Sequence, residues 1–139
     1  MGTRVLVLCA APVLALAASF YQKGKTAEEP HYETSSNVDL VMVVAEVKEV
    51  AEGSVLNGMH LMARLESARA SSEPTDVYLA PDDYLKDFGC HFAKGDKVFV
   101  KGSKVKLNGA PAILAREVHW QSITVYLRDD KGVPYWQKP

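Results

Sequence analysis

The chain has 139 residues, of which 47% are hydrophobic and 24% are charged, and its formal net charge at pH 7 is −1. This length and composition predict one folded domain with its own core and exclude a disordered chain. The near-zero charge excludes a strong global attraction to nucleic acid or to an anionic membrane, so any such binding needs a local patch.

The first residues are typical of an export signal. Arg4 supplies a positive charge, residues 5–15 form an apolar run, and residues 15–17 (Ala-Leu-Ala) are a small-x-small cleavage pattern. The run is shorter than the roughly 20 apolar residues of a membrane span. We expect residues 1–19 to be a cleaved signal peptide, which makes the protein periplasmic or secreted without stable membrane insertion. Retention of this segment as an N-terminal anchor is the alternative.

Residues 20–37 are polar and carry no apolar period, which predicts a flexible spacer. The folded domain is then expected over residues 38–139. Its first strand, residues 38–50, is apolar on both faces in its first half, which predicts a central position. A loop with a tight turn at Asn57-Gly58 follows.

The next segment alternates and predicts a second strand over residues 59–66. The alternation places one set of side chains inside the fold, namely Met59, Leu61, Ala63 and Leu65. It places the other set outside, namely His60, Met62, Arg64 and Glu66. A short third strand is predicted over residues 76–80, and a short helix begins beside Pro81 and ends at Gly89.

The segment from residue 91 to residue 118 predicts a long hairpin. Apolar and polar residues alternate up to Gly102, but past it the apolar positions slip by one residue, which predicts a bulge or bend at this glycine. With the slip, four lysines are expected on one solvated face: Lys97, Lys101, Lys104 and Lys106. Asn108-Gly109 predicts the hairpin turn, and residues 112–118 form its second strand.

A further strand is predicted over residues 122–128, followed by a turn at residues 129–132 and an aromatic tail. Ile123, Val125 and Leu127 are expected to face inward. Thr124, Tyr126 and Arg128 are expected to face outward.

The order of three strands, a short helix and a glycine-kinked hairpin resembles the OB-fold superfamily, and in particular small exported bacterial OB-fold proteins. The resemblance extends over residues 38–120 and is carried by residues 94–102, by Asn108-Gly109 and by residues 112–118. It implies an all-β, five-stranded Greek-key barrel with a short helix between the third and fourth strands. The strand at residues 122–128 and the tail are additions that could cover part of the usual binding groove.

The resemblance places a ligand-binding face on the second and third strands and their loops. On this face His60, Arg64 and Tyr78 are the candidate binding residues, because an aromatic ring stacks on a base or sugar and an arginine pairs with phosphate or hydroxyl groups. Lys97 and Lys101 add positive charge. The alternative is an ordinary solvated strand face with edge lysines that prevent aggregation.

The sequence contains no nucleophile-elbow spacing, no phosphate-binding glycine loop and no His-x-x-x-His or Cys-x-x-Cys pair. The paired carboxylates at residues 82–83 and 129–130 are explained by a helix start and a turn. We therefore expect a protein that is not an enzyme, has no cofactor, and binds a polymer, oligosaccharide, nucleic acid or protein partner.

Two other functions stay open. Cys90-His91, with His60 or His119 as a further ligand, would suit a metal-handling protein. The aromatic residues between Trp120 and Trp136 would suit a structural subunit of a larger envelope assembly.

Overall fold

A computed structural model of the chain describes residues 29–137, so the predicted signal peptide lies outside the described residues. The strands are β1 (Asn37–Val50), β2 (Gly58–Leu65), β3 (Thr75–Ala80), β4 (Lys97–Leu107), β5 (Ala110–Trp120) and β6 (Ile123–Tyr126). A short helix, α1 (Asp82–Leu85), continues as a 3-10 turn at Lys86–Phe88. In residues 29–137 we find no helix with the length and apolar character needed to cross a bilayer.

The five strands β1 to β5 form a closed mixed barrel, and β6 is an added strand. The strand order is β3-β2-β1-β4-β5-β6, and parallel pairing of β3 with β5 closes the barrel. The long β1 pairs with β2 through its second half and with β4 through its first half. A register shift between Val44 and Glu46 interrupts the pairing of β1 with β2, close to the point where the pairing of β1 with β4 ends. The predicted OB-fold-like barrel with a short helix between its third and fourth strands is confirmed.

The hairpin that joins β4 to β5 turns where the sequence predicts. Asn108 and Gly109 have φ angles of 53° and 80°, as a two-residue hairpin turn requires. Gly89, with φ of 68°, ends the 3-10 turn after α1. Leu85 from α1 is buried against the main core, and Tyr84 and Phe88 pack beside it.

The register of β4 and β5 shifts at Gly102, as predicted, but the extra residue is on β5. Lys101 is opposite Glu117 and Gly102 is opposite Ala115, so Arg116 is the additional residue. The pairing of β4 with β1 is regular through Gly102. The alternation within β4 is therefore unbroken, and the prediction that four lysines share one face is wrong: Lys97 and Lys101 alternate onto the opposite side of β4 from Lys104 and Lys106.

The apolar residues of β4 past Gly102 belong to a second, outer hydrophobic cluster. Leu56, Tyr78 and Leu114 are its buried members. The partly buried side chains packed against them are Tyr32, Val55, Val105, Leu107 and Trp136. Two hydrophobic clusters, one on each side of the sheet, therefore explain the slip in the apolar pattern.

The described part of the predicted spacer lies against the barrel. Ser103 is fully buried on β4, and its hydroxyl donates a hydrogen bond to the Glu33 carbonyl at 2.8 Å and accepts one from the Glu33 amide at 3.0 Å. Tyr32 donates a hydrogen bond to Asn37 at 2.8 Å. These contacts hold residues 32–37 against the start of β1 and the second half of β4.

Candidate functional site

His60 and Tyr78, two of the predicted ligand-binding residues, are cross-strand partners on β2 and β3. Their ring centroids are 5.0 Å apart. The structure brings them together as predicted, but only 3% of His60 and 4% of Tyr78 is exposed. The expectation that they lie open to a ligand is wrong, because other parts of the same chain cover them.

The loop between β1 and β2 makes the first part of this cover. Leu56, which has a φ of 53°, is buried in the outer cluster. Its carbonyl accepts a hydrogen bond from His60 Nε2 at 2.7 Å, and the Asn57 carbonyl accepts one from the Tyr78 hydroxyl at 2.8 Å. Burial raises the pKa of Tyr78, so this hydroxyl stays a donor at neutral pH.

His60 is held between two acceptors. Its Nδ1 lies 2.6 Å from an Asp76 carboxylate oxygen, while Nε2 lies against the Leu56 carbonyl. Burial by itself lowers the pKa of His60, but the hydrogen bonds to Asp76 and Leu56 and the Asp76 charge outweigh it, so the pKa is raised. His60 therefore links the loop, β2 and β3 through hydrogen bonds from both ring nitrogens.

The C-terminal segment makes the second part of the cover. The Trp136 ring packs edge-on against Tyr78, with centroids 6.3 Å apart, and also contacts Tyr84 at 5.4 Å. Arg128, predicted to face outward, lies beneath Trp136 and is buried rather than open to solvent. An isolated bridge between Arg128 and Pro134 folds this segment back on itself. The addition after β5 therefore covers the groove that the resemblance implied.

Arg64, the third predicted residue of this face, does not join the His60–Tyr78 pair. Its Nε donates a hydrogen bond to the Ser72 carbonyl at 2.6 Å, in the loop between β2 and β3. Leu65, predicted to face inward, is instead exposed at the end of β2. This end of β2 extends past the main core.

A different side of the barrel is open. Consecutive partners across β1, β4, β5 and β6 form one row of outward side chains, Val41, Phe99, His119 and Thr124. The adjacent row consists of Asp39, Lys101, Glu117 and Tyr126. We call these eight residues, together with Lys97, the open face.

The open face has an apolar and aromatic centre. Val41 is 39% exposed and Tyr126 is 55% exposed. The rings of Phe99 and His119 lie 5.4 Å apart, and a groove of about 620 Å³ extends over Val41, Phe99 and His119 toward Trp120 and Gln121. The sequence signal for this surface was the apolar residues at outward positions of β1 and β4, Val41 and Phe99.

Both lysines of the open face form ion pairs. Lys97, a candidate binding residue, forms an ion pair with Glu66 at 2.8 Å. Lys101, the other candidate lysine, lies 3.7 Å from Glu117, and His119 lies 3.0 Å from the same carboxylate. Lys101 also lies over the Phe99 ring at 5.9 Å. Lys97 and Lys101 are therefore on a common surface, separate from His60 and Tyr78.

The Cys90-His91 pair does not gather further metal ligands among residues 29–137. Cys90 is partly buried against the main core, and this burial raises the pKa of its thiol. His91 is exposed, and His60 is held by Asp76 and Leu56. In the part of the chain that the structure describes, no group of three or more histidine, cysteine, aspartate or glutamate side chains could hold a metal ion.

The fold and the open face define the class of this protein as a small OB-fold-like β-barrel with one added strand. The sequence profile of the MamS/MamX magnetosome protein family matches residues 42–125, more than half of the chain, from the middle of β1 into β6. The chain belongs to this family. Searches of curated proteins and of solved structures found no match to this chain.

Proposed function

We propose that this chain is a non-catalytic binding module of the magnetosome that binds a protein partner through the open face. The observation that carries the proposal is the row of outward side chains from Val41 through Phe99 to His119, beside the exposed ring of Tyr126. An apolar and aromatic centre with a charged edge is the usual composition of a protein interface. The magnetosome location rests on the family to which the chain belongs.

A protein partner is favoured over nucleic acid by the charges of this face. Recognition of a phosphate backbone needs cations that can exchange small counterions for phosphates. Lys97 and Lys101 are instead paired with Glu66 and Glu117, and the whole chain has a net charge of −1. A surface with alternating charges suits a partner that carries complementary charges of both signs.

The binding surface differs from the one expected from the resemblance. A ligand on β2 and β3 would have to displace Leu56 and Trp136 from His60 and Tyr78. The open face requires no such rearrangement. We further propose that the protein is exported, on the strength of the N-terminal sequence pattern alone.

The proposal predicts that Val41→Arg releases the protein from magnetosomes. An arginine in the middle of the groove would place an unpaired charge in a desolvated interface, which typically costs about 2 kcal/mol or more. We expect the fraction of the protein that co-purifies with magnetically isolated magnetosomes to fall at least several-fold, measured by immunoblot against the soluble fraction.

Val133→Arg is the matched control. Val133 is 41% exposed, close to the 39% of Val41, but lies in the C-terminal segment. A photo-crosslinking residue at position 99 should give a discrete adduct with a protein, whereas the same residue at position 133 should not. Equal release by the two arginine variants, or no adduct from position 99, would contradict a partner on the open face.

A further inference from the structure

Arg128 is a buried charge that the proposed function does not use. It is the second residue after β6 and is only 5% exposed. Its Nη1 donates a hydrogen bond to the Gly132 carbonyl at 3.0 Å, and the Trp136 ring lies 5.4 Å from its Cζ. Burial lowers the pKa of Arg128, but a guanidinium in this setting remains charged.

The remaining donors of this guanidinium form one complete edge. Nε and Nη2 are buried, and neither has a hydrogen-bond partner among residues 29–137. These two nitrogens point their N–H bonds in the same direction, so together they form the two-donor edge that grips a carboxylate or a phosphate through two oxygens. Buried polar groups in proteins are normally satisfied, so an entire unpaired edge points to a ligand.

Groups of both charges surround this edge. Arg116, the extra residue of β5, has a buried Nε without a partner among residues 29–137, while its Nη1 donates a hydrogen bond to Asp130 at 3.4 Å. The Arg116 carbonyl accepts the Arg128 amide at 3.2 Å. The Tyr32 ring lies directly over Gly132, the residue whose carbonyl holds Arg128 Nη1. The charge of Glu29 acts on the pKa of Arg128 in the opposite direction to burial, which places a carboxylate near the guanidinium as a competitor that an external anion has to replace.

We propose that the Nε–Nη2 edge of Arg128 binds an external oxyanion, a carboxylate or phosphate group, in a site covered by Trp136. The Trp136 turn, residues 135–137, is held to the barrel by a hydrogen bond from the Tyr135 amide to the Leu127 carbonyl at 3.0 Å. Entry of the anion requires this turn or the segment with Glu29 to shift. The site is separate from the open face, so this proposal does not depend on the proposed function.

The test is an NMR titration of the full chain that follows the Nε–Hε signal of Arg128. Sodium acetate, inorganic phosphate and sodium chloride are added in separate series at equal ionic strength. We expect a saturable shift of the Arg128 signal with acetate or phosphate and none with chloride. Arg64 is the internal control, because its Nε already donates to the Ser72 carbonyl and should not respond.

Two variants complete the test. Arg128→Lys keeps the charge but loses the two-donor edge, so we expect about tenfold weaker anion binding, read from the Trp136 indole N–H signal. Glu29→Gln removes the nearby carboxylate, and an unchanged or stronger response to acetate supports an external ligand. If the wild-type Arg128 signal shows no saturable shift, or moves in parallel with that of Arg64, the proposal is overturned. A response in Glu29→Gln alone also overturns it, because the chain's own carboxylate then fills the site.

Discussion

Replacement of Gly102 by alanine should lower the free energy of unfolding by about 3 kcal/mol. A Cβ at this position would overlap the carbonyl oxygen of Leu114 and would lie 3.0 Å from the Cα of Ala115. Both atoms belong to the backbone of β5, which is fixed between β4 and β3. The strand cannot withdraw without loosening the parallel pairing that closes the barrel.

The measurement is urea-induced unfolding of purified protein, with Gly53→Ala as the control. Gly53 has a φ of 88°, and no atom of the described part of the chain lies within 4 Å of an added Cβ. An alanine there meets only backbone strain, for which we expect a loss of about 1 kcal/mol. Equal losses in the two variants would mean that the close approach of β4 to β5 does not limit the barrel.

Gly102 also illustrates how far the sequence predicts this fold. The alternation, the Asn108-Gly109 turn and the slip in the apolar pattern together predicted a long hairpin and a closed barrel, both of which are confirmed. The cause of the slip in the apolar pattern after Gly102 is a set of tertiary contacts, which the periodicity of β4 alone does not show. Val105 and Leu107 face an outer cluster completed by Tyr32 and Trp136, which are far away in sequence.

The candidate site was less predictable for the same reason. Alternation correctly placed His60 and Tyr78 on the outward side of β2 and β3, but an outward side chain is exposed only if nothing covers it. Leu56 and Trp136 cover this pair, and their positions depend on a loop conformation and a terminal segment that have no period. The open face could have been recognised from Val41 and Phe99, because such residues at outward positions of paired strands form an apolar surface.

The raised pKa of His60 predicts a decrease in stability at alkaline pH. Both partners of its ring are acceptors, at 2.6 Å and 2.7 Å, so the doubly protonated ring makes both hydrogen bonds and a neutral ring loses one. The pKa of His60 is raised above its ordinary value of 6.5, so the folded state holds this proton more tightly than the unfolded state. The stabilisation is complete below pH 6.5 and disappears as the pH rises through the folded pKa.

Other charged groups near His60 also affect how stability depends on pH. Lys48 opposes the protonation of His60, and Asp76 favours it. Burial and a hydrogen bond with Asp82 raise the pKa of Glu49 to about 7, so this group makes stability fall between about pH 4.5 and pH 7. A Glu49→Gln background removes that contribution. The Cys90 thiol, whose pKa is raised above its ordinary value of 9.0, lowers stability mainly above pH 9, so the change between pH 6.5 and pH 9 reports chiefly on His60.

In this background we expect the free energy of unfolding to fall by about 2 kcal/mol as the pH is raised from 6.5 to 9, the magnitude of one hydrogen bond to a charged group. Asp76→Asn should flatten the change, because the asparagine NH₂ can donate to the unprotonated Nδ1 of a neutral ring while Nε2 still donates to Leu56. Asp39→Asn, at an exposed position on β1, is the matched control and should keep the full pH dependence. Urea unfolding at each pH measures the three curves. If the Asp76→Asn curve falls as steeply as that of the control, His60 is not the group that senses pH, and the loop over Tyr78 is held by its other contacts.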